Sequence, residues 1–269
     1  MEKALRAGAD AVIFDLEDAV APADKSTARE AVAALLRRTG PRSPCPLQVR
    51  VNRDPEGISV RDVEAVVGPA LSAIRIPKAV SAEELEDLSE RLTVLERAAG
   101  LEAGVVALAP IIESAGGVAA AAQLAAAPRV TRLSFGATDF LADIASPGDP
   151  AGPATLLARG QLVLASRVAG IGAPVDSVHT RLDDEVGLRA SALAARELGF
   201  FGKSVIHPRQ IPTVHEVFTP SAAELERARR IIGRGTGDPG ASALDGELVD
   251  PAVVARARAV LALASDAEP

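Results

Sequence analysis

Residues 105–117 read VVALAPIIESAGG, a largely apolar run that ends on a carboxylate and then a glycine pair. A segment that is apolar at its start and polar at its end lies buried along most of its length and meets a ligand only at its C-terminal tip. Six more segments repeat the pattern: AVIFDLED (11–18), PLQVRVN (46–52), SAIRIPK (72–78), RLSFGATD (132–139), APVDSVH (173–179) and GKSVIHP (202–208). Their polar ends are Asp15, Glu17 and Asp18; Arg50 and Asn52; Lys78; Asp139; His179; and His207. Helical stretches lie between them, such as SAEELEDLSERLTVLERAAG (81–100), with a Ser-x-x-Glu start and a glycine stop. Alternating βα units of this kind build a parallel sheet.

A doubly wound open sheet binds ligands near one switch point, whereas a barrel assembles its site from the ends of many strands. All seven segments end polar, so the expected fold is an α/β (β/α)8 TIM barrel. Nothing before residue 11 reads as a strand, and residues 2–8 read as a helix. The barrel therefore appears without its first strand, expected ahead of Met1; a barrel left open or closed by another segment is the alternative. The barrel is expected over 1–232. Residues 233–269 then form a Gly/Pro/Ser-rich linker (233–246) and a helical arm or lid (251–264), preceded by a helix at 221–232 opened by Pro220 and Ser221.

Composition narrows the function. The 269 residues are 48% hydrophobic and 24% charged, as in a folded globular chain. Six Phe with no Trp or Tyr, and a net charge of −7, supply neither base-stacking platforms nor a basic stripe, which excludes nucleic acid as an expected partner. No apolar run is long enough to span a bilayer, and no apolar leader is present, so a cytoplasmic protein without a membrane partner is expected. Cys45 is alone and the three His are scattered, so no Cys/His zinc cluster forms and any metal must sit on oxygen.

Period-two alternation sends Val105, Ala107, Ala109, Ile111 and Glu113 to one face, and Leu133, Phe135, Ala137 and Asp139 to one face of the next strand. Two carboxylates at matching heights repel unless a cation or a shared proton lies between them. Oxygen donors alone suit a hard ion that keeps positions for water and substrate, Mg²⁺ first and Mn²⁺ as a substitute. The alternative is that Glu113 caps the following helix and Asp139 pairs with a Lys or Arg. Gly116 and Gly117 let backbone approach a ligand, or simply make a tight turn. Arg50 shares a face with Gln48 and Asn52; it can grip a substrate carboxylate and stabilise an enolate, or pair with Asp15 or Glu17, and the two roles are compatible. Lys78 has the same two readings. Asp15 and Glu17 point inward together as candidates to hold metal waters, and Asp18 begins the next turn. His207 reads as a hydrogen-bonded loop residue; His179 and His215 are given no role.

The series IFDLEDAV, VRVN, RIPKA, PIIESAGG, SFGATDF, RELGFFGKSVIHPRQI and GELVDP, in this order over nearly the whole chain, resembles the citrate lyase beta subunit and its stand-alone relatives in the HpcH/HpaI aldolase superfamily. That resemblance implies a Mg²⁺-dependent barrel that cleaves or forms a carbon–carbon bond in a hydroxyacyl-CoA thioester, such as citryl-, malyl- or citramalyl-CoA. The products would be a 2-oxo acid and an acyl-CoA. It implies Glu113 and Asp139 as metal ligands, Arg50 as the substrate-gripping residue and Asp250 of GELVDP as the catalytic acid, in a C-terminal segment that can reach over a neighbouring subunit's site. From the residues alone, Asp250 is the N-cap of a helix with Pro at its first position. It also implies a homo-oligomer, a trimer or a multiple. Two departures stand out: the family's opening strand with a Pro-Gly loop and an Arg is missing, and Thr138 stands where many relatives have Glu. The rival readings are an acyl-CoA thioesterase or a CoA-independent oxo-acid aldolase on the same site, and a non-catalytic barrel subunit.

Overall fold

The computed structural model describes residues 1–235, 242–244 and 247–265, and the chain divides into two compact units, Met1–Ile211 and Pro212–Pro269. The first unit contains the strands β1 (Val12–Asp15), β2 (Leu47–Arg50), β3 (Arg53–Asp54), β4 (Gly57–Ile58), β5 (Leu71–Ile76), β6 (Ala107–Ile112), β7 (Arg132–Phe135), β8 (Gly172–Asp176) and β9 (Gly202–Lys203). β3 and β4 form a small hairpin. The other seven pair in parallel in the order β1-β2-β5-β6-β7-β8-β9, each beside its predecessor in the sheet. This is the curled sheet of a (β/α) barrel with seven strands, as the polar strand ends led us to expect. Its edges are β1 and β9, and among the described residues no eighth strand joins them.

Helices cross between the strands. α1 (Lys25–Thr39) follows β1, α2 (Val60–Val66) follows the hairpin, and α3 (Ala82–Ala98) follows β5. α4 (Ala115–Ala119) and α5 (Ala121–Ala126) follow β6, α6 (Ala137–Asp143) and α7 (Leu156–Ala169) follow β7, and α8 (Glu185–Leu198) follows β8. α3 obeys its sequence signals: Ser81 Oγ accepts from Glu84 N at 3.2 Å, and Leu85, Leu88 and Leu92 are buried at helical spacing. Residues 2–8 hold only a 3-10 turn, Ala4–Arg6, because Gly8 turns away at φ +80 before a helix can propagate.

Register sorts the two faces of the sheet. Phe14, Val49, Ile74 and Leu108 are level with one another and buried against the helices. Phe135 belongs to the same outer side, since Arg159 of α7 lies 6.0 Å over its ring. On the inner side Ile13, Gln48, Ala73 and Ala107 form one level, and Asp15, Arg50, Arg75 and Ala109 form the next. Ile111, Ser134 and Val175 continue that side across β6, β7 and β8. The inside is therefore polar along β1, β2 and β5. On the outer side Asp176 accepts from Arg159 at 2.8 Å and Lys203 at 2.7 Å, a buried cluster that ties α7 to β8 and β9.

The second unit contains α9 (Ile211–Phe218), α10 (Ala222–Gly235), β10 (Ser242–Leu244), β11 (Glu247–Val249) and α11 (Pro251–Ser265). Ala228, Ile231, Val249, Val254 and Ala257 make its core. Thus α10, which the sequence pattern grouped with the barrel up to 232, packs with α11. Of the linker expected at 233–246, residues 233–235 continue α10 and Ser242–Leu244 pair with β11; the remainder lies outside the described residues.

Candidate active site

Glu113 follows β6 and is 4% exposed. Its Oε1 accepts a hydrogen bond from Lys78 N at 2.7 Å. Lys78 sits at φ +50, a left-handed conformation that costs a non-glycine residue energy and here aims its N–H at the carboxylate. Glu113 does not cap the next helix. Ser114 does so, its Oγ accepting from Gly117 N at 3.0 Å. The glycine pair serves that turn: a Cβ on Gly117 would lie 2.7 Å from Ala79 O.

Asp139 reaches the site by a different route from the one expected. β7 ends at Phe135, on the outer side of the sheet, and α6 begins at Ala137. The alternation assigned to Leu133, Phe135, Ala137 and Asp139 therefore fails, and Asp139 stands in the first turn of α6, half-buried. The cause lies in Glu113. A Cβ on Gly136 would lie 2.4 Å from Glu113 Oε2, so the chain passes Glu113 at a residue without a side chain and turns there into a helix. Ala137 N then donates to the buried Ser177 Oγ at 3.1 Å, which satisfies the first turn from the end of β8. Asp139 forms no ion pair among the described residues, so the Lys or Arg partner envisaged for it is not what the fold uses.

The cations are arranged around Asp15 and Glu17. Arg50 donates from Nε to Asp15 Oδ1 at 2.7 Å and from Nη2 to Asp15 Oδ2 at 2.6 Å, while Nη1 lies 2.7 Å from Glu17 Oε2. The last contact is an ion pair outside hydrogen-bond geometry, since Glu17 Oε2 has no hydrogen-bond partner. Lys78 Nζ donates to Glu17 Oε1 at 2.9 Å and stands 3.8 Å from the exposed Asp18. Burial opposes ionisation of Asp15, but the Arg50 fork and the backbone N–H groups of Glu17 and Ala19 outweigh it and hold its carboxyl below the usual range. The bond to Glu17 raises the Lys78 ammonium in turn.

Glu113 moves the other way. Burial, with the negative charges of Asp139 and Glu17, pushes its carboxyl up to about 7, against the opposing pull of Lys78. Arg50 and Lys78 engage Asp15, Glu17 and Asp18, and Lys25 Nζ reaches the Glu17 carbonyl at 2.6 Å, whereas Glu113 and Asp139 form no ion pair among the described residues, which leaves an excess of negative charge at these two. One divalent ion between Glu113 and Asp139 would neutralise that excess and relieve the repulsion that raises Glu113. No group of three or more His, Cys, Asp or Glu able to hold a metal occurs among the described residues, so the fitting ion is one content with two protein oxygens and several waters, the habit of Mg²⁺.

Sequence reasoning missed Arg75. It lies on the inner side level with Arg50, 7% exposed, and donates to Gln48 Oε1 at 3.1 Å and to Ser134 Oγ. The signal was present in SAIRIPK, where Ala73 and Arg75 share a face, but only the register with β2 shows that the face is the inner one. Gly136 and Ser177 were missed as well, because their partners lie on other strands. His207 is the loop residue expected: its Nδ1 accepts from Arg209 N at 3.1 Å. Asp250 N-caps α11 in the second unit, accepting from Val253 N at 2.8 Å.

Residues 1–208 match the family model of the HpcH/HpaI aldolase/citrate lyase proteins, and residues 163–265 match that of the C-C bond lyases of the TIM-barrel fold. The chain belongs to the HpcH/HpaI aldolase/citrate lyase family. Citrate lyase subunit beta of Escherichia coli K12 is 36% identical over 261 residues, 95% of this chain and 86% of that protein. The (3S)-malyl-CoA thioesterase of Cereibacter sphaeroides is 35% identical over 272 residues, 98% of this chain and 90% of that protein. The crystal structure of CitE from Mycobacterium tuberculosis, in complex with magnesium, acetoacetate and coenzyme A, matches with a TM-score of 0.81 at 32% identity, covering 98% of this chain and 93% of that one.

Proposed function

We propose that this protein is a Mg²⁺-dependent lyase that breaks, or in reverse forms, the carbon–carbon bond of a hydroxyacyl-CoA thioester such as citryl-, malyl- or citramalyl-CoA. The observation that carries this reading is the buried Glu113, unpaired with any cation and under the negative charge of the half-buried Asp139, in a barrel similar to one solved with magnesium, an oxo acid and coenzyme A. Glu113 and Asp139 are the residues that would hold Mg²⁺, with Mn²⁺ as a substitute. The ion supplies Lewis acidity toward the hydroxy-acid oxygens of the substrate.

The chain's own groups do the rest. Beyond its bonds to Asp15, Arg50 keeps one N–H on Nη2 and two on Nη1, which lies against Glu17, and these would receive the hydroxy-acid carboxylate, while Asp15 and Glu17 lock its plane. Lys78 holds Glu113 through its backbone and adds positive charge beside the substrate. Asp250, assigned by the likeness of the GELVDP segment to its family and carried on a segment that would reach over a neighbouring subunit's site, would take the hydroxyl proton; the carbon–carbon bond then breaks, a 2-oxo acid leaves, the electron pair of that bond remains on the acyl-CoA as an enolate, and the proton held by Asp250 returns to it. Glu113→Gln is expected to lower Mg²⁺-dependent turnover of hydroxyacyl-CoA by about a thousandfold or more. Full activity in that variant ends the proposal.

A second reading is favoured by the likeness to the malyl-CoA thioesterase: the same site releases CoA by hydrolysis. The products separate the two, since hydrolysis yields a free hydroxy acid and cleavage yields a 2-oxo acid. We further read the chain as a cytoplasmic homo-oligomer, a trimer or a multiple. This is supported by the absence, among the described residues, of a helix long and apolar enough to cross a membrane, and by the outward side of α7, where Leu157, Leu164 and Val168 are exposed at helical spacing.

A further inference from the structure

Among the described residues, the buried guanidinium groups of Arg129 and Arg159 are neutralised by carboxylates, and that of Arg75, inside the barrel, is not. Arg129 meets Glu96 through two N–H groups, and Arg159 meets Asp176. Arg75 makes no ion pair among the described residues, and its two hydrogen bonds go to the neutral acceptors Gln48 and Ser134. Burial and the neighbouring Arg50 lower its pKa only to about 10, so the guanidinium is charged at neutral pH. A guanidinium has five N–H donors, which leaves Nε and one N–H on each Nη of Arg75 without a protein partner. A guanidinium buried in a protein interior with no carboxylate in contact is costly, and such groups are normally paired.

The position of this charge decides what would pair with it. Arg75 is level with Arg50 in the register and lies on the inner side of the sheet, close enough to Glu113 to be drawn to its charge. Gln48 and Ser134 fix its plane from β2 and β7. Arg50 and the metal-binding pair serve the hydroxyl and the adjoining carboxylate of the substrate, so Arg75 is left for an anion that neither of them holds. We propose that Arg75 is a specificity-determining residue that receives a second carboxylate on the hydroxy-acid half of the substrate, so that thioesters releasing a dicarboxylic 2-oxo acid are preferred over those releasing a monocarboxylic one. This rests on the lyase reading above and adds to it the class of substrate.

Calorimetric titration of the full chain in Mg²⁺ buffer tests it, with fresh oxaloacetate as the dicarboxylic probe and pyruvate as the monocarboxylic one. The wild-type protein is expected to bind oxaloacetate about 30-fold more tightly than pyruvate or better, the scale of a desolvated carboxylate–guanidinium contact. Arg75→Met removes that preference while changing pyruvate affinity by less than about threefold, and Arg75→Lys restores part of it. A purely structural role would weaken both acids alike, so an unchanged ratio in Arg75→Met overturns the proposal, as does a wild-type protein without preference. Should Arg75→Met fail to fold, Arg75→Gln is the neutral variant, and the same ratio decides. If the wild-type protein binds neither acid, the lyase reading falls as well; if it binds both without discrimination, only the role of Arg75 falls.

Discussion

At the scale of single residues, the site turns on the burial of Glu113 beside Asp139. A carboxyl raised from the ordinary 4.5 to about 7 in the folded chain binds more protons there than in the unfolded chain over that interval. The metal-free protein therefore loses stability as pH rises from about 4.5 to 7, and Mg²⁺, which binds the ionised form, offsets the loss above it. Thermal melts are expected to show a larger stabilisation by Mg²⁺ at pH 8 than at pH 5.5, and Glu113→Gln to abolish that difference; an equal shift at both pH values contradicts the assignment. Gly136 makes a second test. A methyl group there would lie 2.4 Å from Glu113 Oε2, so Gly136→Ala is expected to lower Mg²⁺ affinity about tenfold or more in a protein that still folds, measured by calorimetry. Glu113, Arg50 and Lys78 were legible in the sequence as polar residues closing apolar runs, whereas Asp139 was singled out by an alternation that the fold does not keep. Arg75 and Gly136 were not legible, since one sits between Ile74 and Ile76 like any strand residue and the other owes its identity to a side chain more than twenty residues away.

At the scale of elements, the seven parallel strands were found in the right order, but several were read too long: β1 ends at Asp15, β8 at Asp176, β9 at Lys203 and β7 at Phe135, each before the last polar residue assigned to it. SFGATDF is too short to separate period two from a helical turn, and what ends β7 at Phe135 is tertiary: Glu113 forces the glycine, and Ser177 of the neighbouring strand end accepts from Ala137 N. α6 has no side-chain cap of its own on Gly136, so Ser177 acts as its cap from outside. Ser177→Ala is expected to cost about 1 kcal/mol in denaturant unfolding and to weaken Mg²⁺ binding several-fold through Asp139. Unchanged metal affinity would show that α6 is held by other means. α3 gives a contrasting case in which polar burial serves stability alone: Glu96, fully buried, accepts from Gly104 N and Val106 N at 2.8 Å and from Arg129. Arg129→Ala leaves that carboxylate uncompensated and is expected to destabilise the fold by about 3 kcal/mol without altering Mg²⁺ affinity.

At the scale of the whole molecule, the barrel unit holds the acidic mouth, and the C-terminal unit has its own small core of α10, β11 and α11 residues. The sequence revealed the order of these parts because βα alternation stops where the last strand stops; it did not reveal that α10 packs with α11, since amphipathic helices look alike whatever they pack on. Light scattering on the purified chain is expected to give a trimer or a multiple, and a Leu164→Glu, Val168→Glu double variant to shift it toward the monomer if α7 faces a subunit contact. The central claim is that Glu113 and Asp139 jointly hold one divalent cation, and the most direct measurement is calorimetric titration of Mg²⁺ into the wild-type, Glu113→Gln and Asp139→Asn proteins at pH 8. One ion per chain is expected in the wild-type protein, and loss of binding in each variant. Undiminished binding in either variant would contradict it.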